Sequence, residues 1–487
     1  MTRAQRWTLL AAIVASGIVF LDSTIVNLAL KRMGEELPRL TSIGIISVLC
    51  GLAPTLEFMI VARLLQGAAG ALLVPGSLAI ITAAFAGAGR ARAFGLWAAS
   101  TSALTLLGPI LGGLLVDNLT WRLAFLINVP LVAIALFAAI RHVEESRDPD
   151  ASGHFDWLGS IVGALAVGGL AFGAIHGQET HWADPVAWIS LGIGVACLVL
   201  FPILMAITPH PLVPLSLFRN REFASINLAT FLIYGALYVS FTYTALLYQG
   251  TLGYTATGAA IIGIPSGILL ATLSARIGTL TGRFGSRIFL VVGPLIVAAG
   301  QLWLARIPAT SEPWQAELGN PSTLIPPVDA LIDVLPANIA FGLGMAMVVA
   351  PLTSTLMNSI PSRNSGLGSA INNALSRVGQ PLIGAVIFIA ITAAFYNVLG
   401  SLVPGLDTTD PQVRALIVPL NPVPAGTPDA VAAAAKEASV SAFHLAALVS
   451  AGLMAAGSAV CAVGLRSGSA ARAEAESAGA EPVVGAG

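Results

Sequence analysis

The run VAWISLGIGVACLVLFPILMAI, residues 186–207, contains no Asp, Glu, Lys or Arg. Coiled as an α-helix at about 1.5 Å per residue it reaches roughly 33 Å, enough to cross a hydrocarbon core of about 30 Å. A helix is the required local structure there, because lipid offers no partner to an unpaired backbone N–H or C=O. Comparable runs lie before it, near 8–30, 58–85, 95–116, 122–141 and 157–176. Others follow, near 224–248, 255–275, 287–305, 333–356, 366–396 and 440–464. Of the 487 residues 56% are hydrophobic and 10% charged, and the mean hydropathy is +0.86. The fold class that follows is an all-α polytopic membrane protein.

Composition also excludes functions. A formal net charge of -1, with no Lys/Arg-rich run, argues against a nucleic-acid partner. Cys50, Cys197 and Cys461 stand singly in apolar segments, without the spacing of a metal site or a disulfide framework. No G-x-x-x-x-G-K-[ST] loop, H-E-x-x-H pair or G-x-S-x-G elbow occurs, and the six histidines are scattered. The sequence therefore points neither to ATP as an energy source nor to an enzyme, a metal or another cofactor. The start, MTRAQRW, has the basic character of a signal peptide, but the apolar run behind it reaches Leu30 and exceeds a typical h-region. It reads as a retained first helix.

Short cytoplasmic loops collect Lys and Arg, and here basic loops alternate with neutral ones. Arg90 and Arg92, Arg141 and Arg147, Arg219 and Arg221, then Arg276, Arg283 and Arg287, then Arg363, then Arg466 and Arg472 fall on one side, the expected cytoplasmic side. HGQETHWAD (176–184) and YQGTLGYT (248–255) carry neither and fall on the other. The segment TSIGIISVLCGLAP, 41–54, is short for a crossing. If it does not span, Met1 lies inside with Arg3 and Arg6; if it does, Met1 lies outside and Lys31, Arg32 and Arg39 lie inside. We take the first. Two long polar loops, 306–332 and 397–439, are expected outside, and the small polar tail 466–487 is expected to be disordered in the cytoplasm.

Five blocks, in order, carry a family resemblance: LDSTIVNLAL (21–30), RLLQGAAGALLVP (63–75), GPILGG (108–113) with Gly95 upstream, TWRLAFLINVPL (120–131) and RIGTLTGRFGSR (276–287). Together they resemble the major facilitator superfamily, in particular its fourteen-helix multidrug-efflux branch of drug:proton antiporters. Two departures stand out. After LDSTIVNLAL, the stretch KRMGEELPRL leads directly into what resembles the third helix, so the second helix and its cytoplasmic hairpin are missing, and Leu104 replaces an expected glycine. The resemblance implies a two-bundle architecture of about 12–13 transmembrane helices. Residues 1–145 form an N-terminal bundle one helix short, 146–210 a linker with two extra transmembrane helices, and 211–465 a six-helix C-terminal bundle.

The residues that stand out are polar or small in apolar surroundings. A carboxylate at mid-helix costs about 2.5–3.5 kcal/mol on insertion scales, so Asp22 in FLDSTIVNLAL needs a use or a partner, with Thr24 and Asn27 at hand. Arg63 cannot shed its charge and sits near Gln66. Asp22, Asn27, Arg63 and Gln66 are the proton-coupling candidates. Gly95, Gly108, Pro109, Gly112 and Gly113 would bend and closely pack a helix as a hinge, while Gly282, Arg283, Gly285 and Arg287 form a tight basic turn that could gate the cytoplasmic side. Asn373, Arg377 and Gln380 share one helix face as cavity-lining candidates, beside Asn372. Tyr234, Tyr238, Phe241 and Tyr248 form an aromatic stripe.

The resemblance implies a secondary active transporter, needing only a proton gradient, that exports small amphipathic compounds by proton antiport through alternating access. The expected setting is a bacterial-type inner membrane, as a monomer in the lipid bilayer with both termini cytoplasmic. The competing expectation, motivated by the missing helix, is a transport-incompetent relative serving as scaffold or sensor, or a damaged gene product.

Overall fold

The computed structural model describes residues 2, 5–14, 16, 50–85, 89, 92–97, 100–101, 104, 120, 122–142, 156–180, 182–317, 319–361, 364–424 and 426–465. Residues 5–14 are helical. The long helices that follow are α1 (Leu56–Ala84), α2 (Asn128–His142), α3 (Trp157–Glu179), α4 (Pro185–Ile207) and α5 (Arg221–Leu246). Next come α6 (Ala256–Phe284), α7 (Ser286–Leu304), α8 (Leu335–Asn358), α9 (Ser365–Leu402) and α10 (Asp429–Gly464). Among the described residues there is no strand beyond an isolated bridge between Glu317 and Asn320. The helices α3 to α10 are each long and apolar enough to cross a membrane. Short polar side chains set several starts by accepting an otherwise orphaned N–H: Thr55 from Phe58, Asp156 from Gly159, Asp184 from Val186, Asn220 from Glu222 and Thr255 from Gly258.

Small residues decide how close the helices approach, since lipid tails are as apolar as the helix surfaces and packing must supply the attraction. A Cβ on Gly344 of α8 would lie 2.6 Å from the carbonyl oxygen of Gly293 on α7, and one on Gly293 would lie 2.8 Å from the Gly344 carbonyl. Gly235 of α5 and Gly379 of α9 meet the same way, with a Cβ on Gly379 placed 2.8 Å from the Phe231 carbonyl. In the α3–α4 hairpin, Gly169 packs on Gly194. That hairpin also rests on the second half, where Gln178 of α3 approaches Gly384 of α9.

Among the described residues two buried cores result. One runs from Leu9, Ile81, Phe85, Phe94 and Trp97 of the first half to Phe223, Ile226, Leu356, Ile360 and Leu465 of the second. The other lies at the opposite end of the second half, around Tyr248, Trp314, Phe395, Leu420 and Phe443. Its described members all come from residues beyond 238.

Several boundaries differ from the sequence expectation. The basic turn at 282–287 is a single residue, Gly285 with φ of 80°, because α6 continues through Gly282 and Arg283 to Phe284. The expected loop 397–439 is shorter: α9 continues to Leu402 and α10 begins at Asp429. Ala-rich DAVAAAAKEA favours helix without being hydropathic enough to read as a crossing. Between these helices the chain makes a further short helix, Pro411–Leu416. Of the segment 41–54, the described part is helical at Cys50 and Gly51 and turns by Leu52.

Candidate functional site

Arg63 and Gln66 come together as their spacing on one helix face requires. The Arg63 guanidinium donates to Oε1 of Gln66, the same oxygen that lies 3.7 Å from Sγ of Cys50. Beneath it lies the ring of Phe125, fully buried in the short helix Leu123–Leu126, with its centroid 4.7 Å from Cζ of Arg63. Arg122, at the start of that helix, donates to the Ala53 carbonyl at 3.3 Å. Arg63 is thus a half-buried cation held by an amide and an aromatic face, where a cation–π contact is worth about 0.5–2 kcal/mol. Asp22 and Asn27 lie outside the described residues, as do Gly108, Pro109, Gly112 and Gly113.

Gly95 is described and buried. It faces α6 across the division between halves: a Cβ on Gly278 would lie 3.4 Å from Cα of Gly95, and one on Gly95 would lie 3.9 Å from the Ala275 carbonyl. Trp97, two residues on, donates from Nε1 to the Ser16 hydroxyl at 3.0 Å, which ties this segment to the first helix. A small residue on each side lets the two backbones approach closely here. Gly282 and Arg283 are exposed, and a Cβ on Gly282 would meet open space. Arg287 has turned inward and donates to the Ala462 carbonyl at 2.5 Å, fastening the last turn of α10. The arginine favours the negative end of that helix.

In the second half Arg377 lies on α9 twelve residues beyond Ser365, roughly 18 Å from that end. Its guanidinium stands 5.5 Å from the centroid of Tyr238, whose ring is 6.2 Å from Tyr234. Asn373 and Gln380 are half-buried beside it. The aromatic stripe divides: Phe241 is 51% exposed and stacks edge-on with Phe341 at 5.0 Å, whereas Tyr248 is buried in a π-helical turn, Leu247–Thr251. Asn372 reaches partners on α5 that its own segment does not reveal. Nδ2 of Asn372 donates to Oδ1 of Asn227 at 3.2 Å and to the Thr230 hydroxyl at 2.7 Å. Asn227 and Thr230 are polar positions one helical turn apart in an apolar run, a signal that could have found them.

The opposite end of the second half, which carries Arg306 and Arg414, is covered by folded loops. Trp314, 4% exposed, donates from Nε1 to the Thr323 carbonyl at 2.8 Å, and its own carbonyl accepts from Thr255 N at 3.0 Å. Leu420 takes a φ of 62° to lodge its side chain in the core, and a Cβ on Gly250 would collide with its carbonyl at 2.0 Å. Tyr254 lies under this cover, and its hydroxyl has no hydrogen-bond partner among the described residues. Burial first, then the carboxylates of Asp333 and Asp329, make it a weaker acid than an ordinary tyrosine, with its pKa raised to about 12. Among the described residues no group of His, Cys, Asp and Glu could hold a metal ion.

A bundle of membrane-length helices in two halves, meeting through small residues and carrying isolated polar groups inside, defines the class of polytopic membrane transporters. The chain belongs to the Major Facilitator Superfamily, whose family model matches residues 5–384. It is an integral membrane protein. The Multidrug resistance protein Stp of Mycobacterium tuberculosis is 29% identical over 452 residues, covering 85% of this chain and 80% of that protein. The Methylenomycin A resistance protein of Bacillus subtilis is 29% identical over 355 residues, 72% of each chain. Among solved structures, the human organic anion transporter MFSD10 superposes with a TM-score of 0.50 at 13% identity, over 94% of this chain and 82% of that one, a likeness of fold alone.

Proposed function

We propose that this transporter exports small amphipathic compounds from the cell in exchange for protons, by alternating access between its two halves. The observation that carries this reading is the contact of Gly95 with Gly278 and Ala275. It lies at the arginine-bearing end, and a small-residue seam of this kind suits two bundles that must part and re-engage. The resistance relatives support the export direction and the drug-like substrate. Asp22 is the proposed proton carrier, and Arg63, steadied by Gln66 and Phe125, is the proposed fixed charge of the same coupling machinery. One proton moved through 100 mV yields about 2.3 kcal/mol, enough for a roughly fiftyfold substrate gradient. The chain works as a monomer in the plasma membrane, with both termini in the cytoplasm and no cofactor.

A second reading is favoured by the direct passage from LDSTIVNLAL to the third-helix-like segment. In it the chain is a scaffold or sensor that moves no solute, or a damaged product. Everted vesicles separate the two. With an imposed proton gradient, wild type should accumulate an amphipathic dye, and Asp22→Asn should reduce that by about 100-fold or more, the scale of a lost proton-transfer group. If wild type and Asp22→Asn vesicles both stay at the level of empty ones, the transport reading fails.

A further inference from the structure

At the arginine-bearing end, the first turn of α5 and the last turn of α10 enclose a groove of about 370 Å³, lined by Arg221, Ser225, Ala459, Val460, Val463 and Gly464. We propose that this groove is a binding site for one anionic phospholipid of the inner leaflet. Its headgroup phosphate lies on Arg221 and Ser225, and an acyl chain lies along Ala459, Val460 and Val463.

Depth, charge and shape point to that occupant. The apolar spans Arg221–Thr251 and Asp429–Gly464 both end here, so the groove opens where hydrocarbon gives way to headgroups. Arg221 is exposed and commits one Nη2–H to the Val463 carbonyl at 2.6 Å, which fixes the guanidinium at the rim with further donors in its fork. Arg287 reaches the neighbouring Ala462 carbonyl, and Arg219 is exposed two residues before Arg221. These three cations outweigh Glu222, the acid on the same turn of α5. The floor is smooth because Gly464 abuts Ser225, where an added Cβ would fall 1.9 Å from the hydroxyl oxygen. The outer wall is apolar and open, with Val463 71% exposed. A soluble anion would use the arginine and leave that wall in contact with water, whereas a lipid uses both. A planar guanidinium is also suited to bidentate contact with phosphate.

Native mass spectrometry of the purified full chain, titrated with phosphatidylglycerol or phosphatidylcholine, tests this. Phosphatidylglycerol should be retained about fivefold more strongly, the gain expected of one arginine at an anionic surface. Arg221→Gln should abolish that preference and Arg221→Lys should keep most of it. Ala459→Phe fills the groove while leaving every arginine, and should weaken phosphatidylglycerol retention by a similar factor. The proposal is overturned if Arg221→Gln and Ala459→Phe retain phosphatidylglycerol as wild type does. It is equally overturned if millimolar inorganic phosphate displaces the lipid, which would mark a site for soluble anions.

Discussion

Single residues report most clearly where a charge or a polar group has been made to fit an apolar setting. Asp184 caps α4 through Val186 N and meets Nε2 of His176 at 2.8 Å, and those two contacts hold its carboxyl below the usual value of 3.8. A carboxylate depressed in the folded state contributes stability above its ordinary value and loses it as pH falls through 3.8 and below. Trp182 and Trp188, with centroids 5.2 Å apart in the same turn, supply the readout. Their fluorescence should change in acid below about pH 4 in wild type, and that limb should flatten in Asp184→Asn. Residue chemistry was partly legible beforehand. Arg63 and Gln66 were singled out and do pair, because spacing on one helix fixes their meeting. The partners of Asn372 are not legible in the sequence, since only the crossing of α5 and α9 brings Asn227 and Thr230 to it.

At the level of elements, hydropathy located every long helix from α3 onward but misjudged their ends. The apolar run predicts what crosses lipid, whereas helix propensity and turn chemistry decide where coiling stops. At 38 and 36 residues, α9 and α10 run to roughly 57 and 54 Å, well past the bilayer, and hydropathy has nothing to say about the excess. Element contacts were illegible for a different reason: small residues are common in membrane helices, and sequence does not say which faces which. The Gly293–Gly344 crossing of α7 and α8 gives a direct check. Gly344→Leu should destabilise the second half by about 1–3 kcal/mol through overpacking, seen as a lower midpoint in detergent unfolding. Gly282→Leu, facing open space, should leave the midpoint nearly unchanged.

For the whole molecule, the two halves share one core at the arginine-bearing end, while the core at the opposite end draws its described members from the second half. The sequence indicated two halves and a linker hairpin, but treated the loops at 306–332 and 397–439 only as polar connectors. Their anchors, Trp314 and Leu420, lie in the short proline-broken stretches SEPWQAELG and ALIVPLNPV, which are too interrupted to show a periodicity. Trp314→Ala should cost about 3–5 kcal/mol and make the 306–332 segment a ready target for an added protease, with wild type cleaved far more slowly. The same cover also orders biogenesis. Phe443 and Ala438 of α10, the last helix among the described residues, belong to the cluster that holds Trp314, so that cluster is incomplete until α10 has been made. This end therefore completes its packing only once α10 is present, and a ribosome stalled before Asp429 would leave an inserted but unsealed bundle for membrane quality control to recognise.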